Sequence, residues 1–219
     1  MIIHVQLNST NHRKDVIEYI TTKKKEGIFT VIDIGGTVGG WSTPYVDAIV
    51  DFQTPNVLPG NILFFKSDIT HPDGWKEIHA FVEQHGMFDF SICTHTLEDI
   101  MNPGYVCEQL SKISKEGYVA FPSKYIELSR IAGSYRGYIH HRWIFVVRNG
   151  ELIGYPKLNF IEYMNVDSYI QNKNHQNDVS LFWKDNIYVS YINNNYMGPR
   201  DIEVIQYFNT LLDKDDYDI

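Results

Sequence analysis

The sequence predicts an α/β fold, with a mostly parallel sheet of about seven strands covered by helices and followed by antiparallel hairpins. Two observations predict it. Short β-branched apolar segments alternate with segments of helical periodicity through the first 121 residues, a pattern typical of parallel strands joined by helices. After residue 125, strand segments follow one another across turn sequences instead, as they do in hairpins.

Composition and charge exclude several classes of protein. The 219-residue chain has a net charge of −8. Nonspecific binding of nucleic acid requires a cationic surface that neutralises phosphates, so we do not expect this chain to bind nucleic acid. No apolar run approaches the roughly 18 residues that span a bilayer, and Met1-Ile-Ile-His-Val-Gln does not resemble a signal peptide. Cys93 and Cys107 fall in apolar segments and are predicted to be reduced core thiols, which favours a cytoplasmic location.

We expect one domain over residues 1–219, divided into a first half over 1–125 and a second half over 126–219. The predicted strands of the first half are Phe29–Ile34, Ala48–Phe52, Asn61–Phe65, Phe88–Cys93 and Gly117–Phe121. The predicted helices are Arg13–Thr22, the segment around Trp75–Val82 and Tyr105–Ile113.

The second half is predicted to contain two hairpins and a closing helix. One hairpin joins 143–147 to 151–155 around Asn149-Gly150, a dipeptide typical of a type I′ turn. The other joins 179–183 to 187–191. A helix is expected over 201–212, a surface loop over 165–177, and a solvated acidic tail from residue 213.

The first predicted strand ends at the glycine-rich segment Asp33-Ile-Gly-Gly-Thr-Val-Gly39. Ligands of an open parallel sheet bind outside the carboxyl ends of its strands, and glycine allows the backbone to approach a ligand closely. The Asp33 carboxylate would repel a pyrophosphate, and Thr37 stands where the second glycine of the dinucleotide fingerprint would fall. Both features disfavour a nicotinamide-dependent oxidoreductase and favour a ligand that carries a cationic amine.

This segment resembles the first motif of class I S-adenosylmethionine-dependent methyltransferases, which have a Rossmann-like three-layer α/β/α fold. Three further motifs occur in the family's order: Asp51-Phe52 after the second strand, Asp68-Ile69 after the third, and Phe88-Asp-Phe-Ser-Ile-Cys-Thr-His-Thr-Leu-Glu98 on the fourth. The resemblance covers about residues 27–125. It implies S-adenosylmethionine as cofactor.

The resemblance also assigns roles to individual residues. It implies that the methionine part of the cofactor lies against the loop, that Asp51 binds the ribose hydroxyls and that Asp68 reaches the adenine amine. The implied cofactor-binding residues are Asp33, Gly35, Gly36, Gly39, Asp51, Phe52, Asp68, Ile69 and Thr94.

The sequence departs from the family at the connection that follows the loop. Only 12 positions separate Gly39 from Asp51, too few for the usual helix, so we expect a turn around Trp41–Tyr45. Trp41 and Tyr45 are candidate substrate-binding residues there. The short connection leaves Asp47 as an alternative to Asp51 for binding the ribose.

The segment His140-His-Arg-Trp143 supplies the candidate catalytic residues. Methyl transfer to a hydroxyl requires removal of a proton, and histidine has a suitable pKa. We expect His141 or His140 to act as base or to position the acceptor, with His95 as the next candidate and Arg142 as a substrate-binding residue. Adjacent histidines on a strand point to opposite faces, so no metal site is predicted, and the alternative is a pair of surface histidines.

The resemblance, together with a looser likeness to a subgroup found beside glycan-building enzymes, predicts an O-methyltransferase acting on a sugar hydroxyl. The predicted partner is a small-molecule or glycan substrate, either a glycan or an activated sugar. Two alternatives remain: methylation of another small metabolite, and a non-catalytic module that binds the cofactor. The sequence predicts no oligomeric state.

Overall fold

The computed structural model describes residues 1–8, 12–130, 133–167, 170, 177–192 and 201–212. Its strands are β1 Ile2–Asn8, β2 Val31–Ile34, β3 Ala48–Asp51, β4 Leu63–Lys66, β5 Phe88–Thr94, β6 Ser114–Pro122, β7 Trp143–Arg148, β8 Glu151–Pro156, β9 Asp178–Lys184 and β10 Val189–Tyr191. Its α-helices are α1 His12–Glu26, α2 Lys76–His85, α3 Pro103–Ile113, α4 Lys124–Leu128 and α5 Asp201–Asn209, with 3₁₀ turns at Pro72–Trp75, Asn159–Tyr163 and Thr210–Leu212.

Seven strands form one mostly parallel sheet in the order β1-β9-β6-β5-β2-β3-β4. Strands β2 to β6 run parallel, whereas β9 is antiparallel to both of its neighbours, β6 and β1. The chain moves outward from β2 through β3 to β4, then crosses back to β5 on the other side of β2. This reversal opens a crevice at the carboxyl ends of β2 and β5, where such sheets bind ligands. The predicted α/β fold is confirmed.

Alternate residues of the central strands pack against helices on opposite faces of this sheet. Val31 and Ile49 belong to a buried cluster with Val16 of α1, while Ile32 and Val50 share a cluster with Leu110 of α3. This division follows from the two-residue period of a strand. It produces the expected three layers, and the connection from β2 to β3 is made of turns without a helix, as predicted.

The predicted hairpin around Asn149-Gly150 is confirmed. Strands β7 and β8 are antiparallel, and both turn residues have positive φ, 53° and 73°, as a type I′ turn requires. The second predicted hairpin is wrong. Strand β9 joins the large sheet, and β10 pairs in parallel with β8 in a separate three-stranded sheet. Because β9 buries residues on both faces, including Ser180, Leu181 and Trp183, it needs a strand on each side.

Strand β1 was not anticipated from the sequence, because its alternation is weak: Val5 is buried while Ile3 is 56% exposed. It pairs antiparallel with β9 at the sheet edge. Cys93 and Cys107 are buried free thiols, as predicted. Parts of the predicted 165–177 loop and the whole acidic tail lie outside the described residues. Across the described residues, no helix combines the length and apolar character that a membrane crossing requires.

Candidate active site

A cavity of about 440 Å³ opens at the carboxyl ends of β2, β3, β4 and β5. We call it the strand-end cavity. The predicted site residues that line it are Gly35, Asp51, Phe52, Asp68, Ile69 and His95. Asp33, Gly36, Gly39 and Thr94, which were also predicted to bind the cofactor, lie on the same strand ends and loop but do not line the cavity.

The glycine-rich loop is shaped by close contacts that only glycine permits. Gly35 has φ of 78°, and a Cβ there would collide with the Thr96 side chain. A Cβ on Gly36 would collide with the carboxylate of Asp33. The loop therefore folds directly over Asp33, which explains why that carboxylate is hidden.

Asp33 is a buried carboxylate, with 2% of its surface exposed. Its Oδ2 accepts a hydrogen bond from the Ser42 hydroxyl, while Oδ1 has no hydrogen-bond partner among the described residues. Burial, and to a smaller extent the charge of Asp51, raise the pKa of Asp33 from 3.8 to about 7 against the lowering effect of Ser42. A cationic group placed nearby would stabilise the ionised form.

Asp51 and Asp47 lie at opposite ends of β3. Asp51 ends β3 and lines the strand-end cavity. Asp47 precedes β3, where its carboxylate accepts hydrogen bonds from the backbone N–H of Val31 (2.8 Å) and from Lys24 Nζ (2.9 and 3.0 Å). Asp47 therefore holds the opposite end of β2 in place, and Asp51 is the residue available to a ligand.

The loop after β4 presents Asp68 to the cavity in a fixed position. Its Oδ1 accepts hydrogen bonds from the backbone N–H of Thr70 (3.0 Å) and from the Thr70 hydroxyl (2.6 Å), and these bonds lower the pKa of Asp68. The adjoining Ile69 is 8% exposed, and its carbonyl accepts a hydrogen bond from the Trp75 indole (2.8 Å). The carboxylate is thus ionised at neutral pH and rigidly held.

His95 does not fit the role of a base. It follows β5 with a φ of 50° and lies 3.3 Å from Asp178 Oδ2 and 3.4 Å from Glu98 Oε1. Burial alone would lower the pKa of His95, but the two carboxylates outweigh it and raise the pKa to about 9. At neutral pH His95 is a cation, which cannot take a proton. Its two ring nitrogens face these two carboxylates, which balance its charge.

A second cavity, of about 520 Å³, lies beside the β7–β8 hairpin. We call it the hairpin-side cavity. His141 and Lys157 line it, with Tyr135 and Tyr163 exposed (60% and 90%) along its wall. The two cavities share no lining residue.

His141 is held by a buried triad, which we define as Glu127, His141 and Lys157. One Glu127 carboxylate oxygen lies 2.6 Å from His141 Nδ1, and the other accepts a hydrogen bond from Lys157 Nζ at 2.6 Å. Their side chains are 1%, 7% and 6% exposed. Gly137 has φ of 54°, and a Cβ there would strike Glu127, so a glycine is needed to let the loop pass. Because Glu127 accepts the Nδ1 proton, the lone pair of neutral His141 is at Nε2.

Nε2 of His141 points toward Asp99, which lines the strand-end cavity. Asp99 Oδ1 lies 3.6 Å from this nitrogen and 3.8 Å from Nε2 of His140. We call Asp99, His140 and His141 the His–Asp cluster. Both histidines precede β7, and His140 lies in a turn, so the alternation expected for residues on a strand does not apply to them. Of the two, only His141 lines one of these two cavities. The cluster connects the walls of the two cavities.

Three predicted substrate-binding residues lie elsewhere. Trp41 and Tyr45 pack against the buried cluster beneath α1, and Arg13 lies over the Trp41 ring at 5.3 Å. Arg142 is exposed and lines neither cavity. The guanidinium that does line the hairpin-side cavity belongs to Arg136, whose side chain is 2% exposed.

Sequence reasoning missed Glu127, Lys157 and Asp99. The first two carry no local motif. Asp99 directly follows the fourth-strand motif, which ends at Glu98. Its position next to this motif is the feature of the sequence that could have identified it as a site residue.

No family model matches the sequence, and no curated protein matches it either. Solved structures do align with it. The plantazolicin methyltransferase BpumL in complex with SAH aligns over 78% of this chain and 81% of its own, with 12% identity and a TM-score of 0.43. The N-terminal domain of EvdMO1, in the presence of SAH and D-fucose, aligns over 81% and 85%, with 11% identity and a TM-score of 0.42.

A second BpumL structure, with a monoazolic desmethylPZN analog and SAH, aligns over 49% of this chain at 18% identity and a TM-score of 0.36. In that alignment the chain spans 44% of the BpumL chain, less than half. All three likenesses are distant, and the fold class stands on the strand order of the chain itself.

Proposed function

We propose that the chain is an S-adenosylmethionine-dependent methyltransferase that binds its cofactor in the strand-end cavity. The observation that carries the proposal is the placement of Asp51 and Asp68 at the ends of adjacent strands, around one cavity that begins at Gly35. S-adenosylmethionine supplies an electrophilic methyl group on a sulfonium, together with an ammonium, a ribose diol and an adenine amine. Each of these groups is a better partner for an aspartate carboxylate than a ligand phosphate would be.

Four residues have chemistry that fits separate parts of this cofactor. Asp51 would accept hydrogen bonds from the ribose hydroxyls and Asp68 from the adenine amine. Buried Asp33, with Oδ1 lacking a partner among the described residues, would favour the cationic end. Gly35, which has no side chain, would let the methionine part approach the backbone closely. A dinucleotide would instead bring phosphates toward the carboxylates of Asp51 and Asp68, which disfavours it.

The acceptor is assigned to the hairpin-side cavity, and we propose a sugar hydroxyl as the methylated group. Exposed Tyr135 and Tyr163 offer aromatic faces to a sugar ring, while Asn159 and Lys157 supply polar contacts on the same wall. The combination of aromatic faces with a few polar groups is typical of small-molecule sites. The D-fucose named with EvdMO1 belongs to that protein, and it agrees with this choice of acceptor class.

His141 is the group assigned to the acceptor. Glu127 fixes the orientation of its ring, and Nε2 is the atom turned toward the strand-end cavity wall. Two roles are open to this nitrogen: taking the hydroxyl proton, or holding the acceptor in position. A base gives a rate that falls as pH drops through the histidine pKa, whereas a positioning residue need not.

Two measurements test the proposal. SAH should raise the melting temperature and NAD should not, because a ligand that binds only the native state stabilises it. Transfer of a labelled methyl group should then be screened over nucleotide sugars, oligosaccharides and other small metabolites. SAH binding without transfer to any acceptor would favour a non-catalytic module, and transfer only to a non-sugar would correct the acceptor.

A further inference from the structure

We propose that Asp99, His140 and His141 form a binding site for a divalent transition-metal ion, at the point where the walls of the two cavities meet. The three donor atoms, a carboxylate oxygen and two imidazole nitrogens, lie within 4.8 Å of one another. Imidazole and carboxylate together suit ions such as Zn²⁺, Co²⁺ or Mn²⁺ better than Mg²⁺ or Ca²⁺, which prefer oxygen ligands alone.

The spacing of the donors fits one ion. Two ligands each about 2.0–2.1 Å from a tetrahedral ion lie about 3.4 Å apart. Asp99 Oδ1 lies 3.6 Å from His141 Nε2 and 3.8 Å from His140 Nε2, so small side-chain movements bring all three to bonding distance. Neither contact is short enough for a hydrogen bond.

Asp99 Oδ1 lacks a hydrogen-bond donor among the described residues, and the atom is buried. It faces Nε2 of His141 at 3.6 Å, and Nδ1 of the same ring lies 2.6 Å from Glu127 Oε1. A buried acceptor atom without a donor costs about 1–3 kcal/mol. A metal ion between Asp99 Oδ1 and His141 Nε2 would satisfy both.

The buried triad supplies the outer support that metal-binding histidines require. Such a histidine usually donates its other ring N–H to a carboxylate, which fixes the tautomer and the orientation of the ring. Glu127 does this for His141 at 2.6 Å, and Lys157 holds Glu127 in turn. His71 lacks this support. It lies 3.6 Å from Asp73 with both side chains exposed, and it therefore provides a matched control.

The site is open as well as supported. Asp99 and His140 side chains are 40% and 64% exposed, whereas His141 is 7% exposed. Three protein ligands leave a coordination position free, as in catalytic rather than structural zinc sites. If the proposed methyltransferase function holds, that position faces the acceptor, and an oxygen bound to the ion would have a lowered pKa. His141 then acts as a ligand that positions the acceptor through the ion.

The test is metal binding by the untagged, chelator-treated protein, measured by titration calorimetry with Zn²⁺ and by the visible absorption of Co²⁺. We expect one equivalent to bind. Asp99→Asn and His140→Ala should each weaken binding at least 100-fold, and Glu127→Gln about 10- to 100-fold. His71→Ala should change nothing. His140 is mostly exposed, so His140→Ala is expected to fold, and circular dichroism checks this.

Two results would overturn the site: no stoichiometric binding by the unaltered protein, or equal binding by folded His140→Ala. Titration with SAH in the metal-free protein separates this proposal from the methyltransferase proposal. SAH binding without metal binding overturns the metal site alone. Metal binding without SAH binding supports the metal site and counts against the methyltransferase function.

Discussion

The two cavities are assembled in different ways. The strand-end cavity collects side chains that lie at or just after the ends of four neighbouring parallel strands. The buried triad beside the hairpin-side cavity joins residues 14 and 30 positions apart, from a short helix, a turn and the end of a hairpin. In the first case position along the chain fixes position in space, because parallel strands end at one edge. In the second, only tertiary packing brings the residues together.

The largest expected effect is a loss of methyl transfer, and it tests whether His141 of the hairpin-side cavity takes part in the reaction. His141→Ala should lower methyl transfer by about 10²–10⁴-fold, the usual contribution of an acid–base or positioning group, while SAH affinity stays nearly unchanged. Steady-state kinetics and calorimetry measure the two quantities. The control is His85→Ala, which removes an exposed histidine at the C-terminal end of α2. Near-normal turnover in both His140→Ala and His141→Ala would remove the pair from the mechanism.

The next effect concerns the stability of the buried triad. Glu127→Ala should lower the free energy of unfolding by about 3–5 kcal/mol, because it leaves the Lys157 charge buried without its partner. Denaturant titration measures this. The matched control is Glu108→Ala, which breaks an ion pair with Lys112 of similar length, 2.6 Å, on the exposed surface of α3. That change should cost less than about 1 kcal/mol. Equal losses in the two variants would mean that burial of the triad does not matter.

These differences explain which parts of the molecule the sequence predicts. The alternation of strands and helices, the turn in place of a first crossover helix, and the cavity positions of Asp51 and Asp68 follow from local patterns. The second hairpin fails as a prediction because β9 buries residues on both faces, and such a sequence is equally suited to a hairpin or to the interior of a sheet. Its pairing with the neighbouring strands β6 and β1 determines that it lies inside the large sheet.

The same distinction between local patterns and distant contacts applies to single residues at the site. Trp41 and Tyr45 were expected to bind substrate because they follow the glycine-rich loop, but the short connection turns them against α1. His95 was considered as a base, and nothing local to it shows that Asp178 approaches from a distant strand. Side chains whose environment depends on such distant contacts cannot be assigned from one sequence.

Asp33, which is buried beneath the glycine-rich loop beside the strand-end cavity, gives a prediction about pH. Its pKa is raised in the folded chain to about 7, so the stability it contributes is complete below pH 3.8 and is lost as pH rises through 7. Asp33→Asn keeps the shape without the charge. In the absence of ligand, it should be more stable than the unaltered chain by about 2–4 kcal/mol at pH 8, with the difference shrinking toward zero near pH 4. A pH-independent difference in unfolding free energy would show that burial of the charge is not the cause.

The smallest effect separates two carboxylates at opposite ends of the same strand. Asp51→Ala should weaken SAH binding by about 1.5–3 kcal/mol, the range for hydrogen bonds to a charged group, which corresponds to about 10- to 150-fold in affinity. The stability of the protein should change little, since among the described residues the Asp51 side chain accepts one hydrogen bond, from the nearby Gln53 N–H.

Asp47→Ala should do the reverse. It removes the acceptor for Lys24 and for the N–H of Val31, so we expect a loss of roughly 1 kcal/mol in stability and unchanged SAH affinity. Calorimetry gives the SAH affinity of each variant, and denaturant titration gives its free energy of unfolding. If Asp47→Ala weakens SAH binding while Asp51→Ala does not, the ribose site belongs at the other end of β3, and the strand-end cavity loses its assignment as the cofactor site.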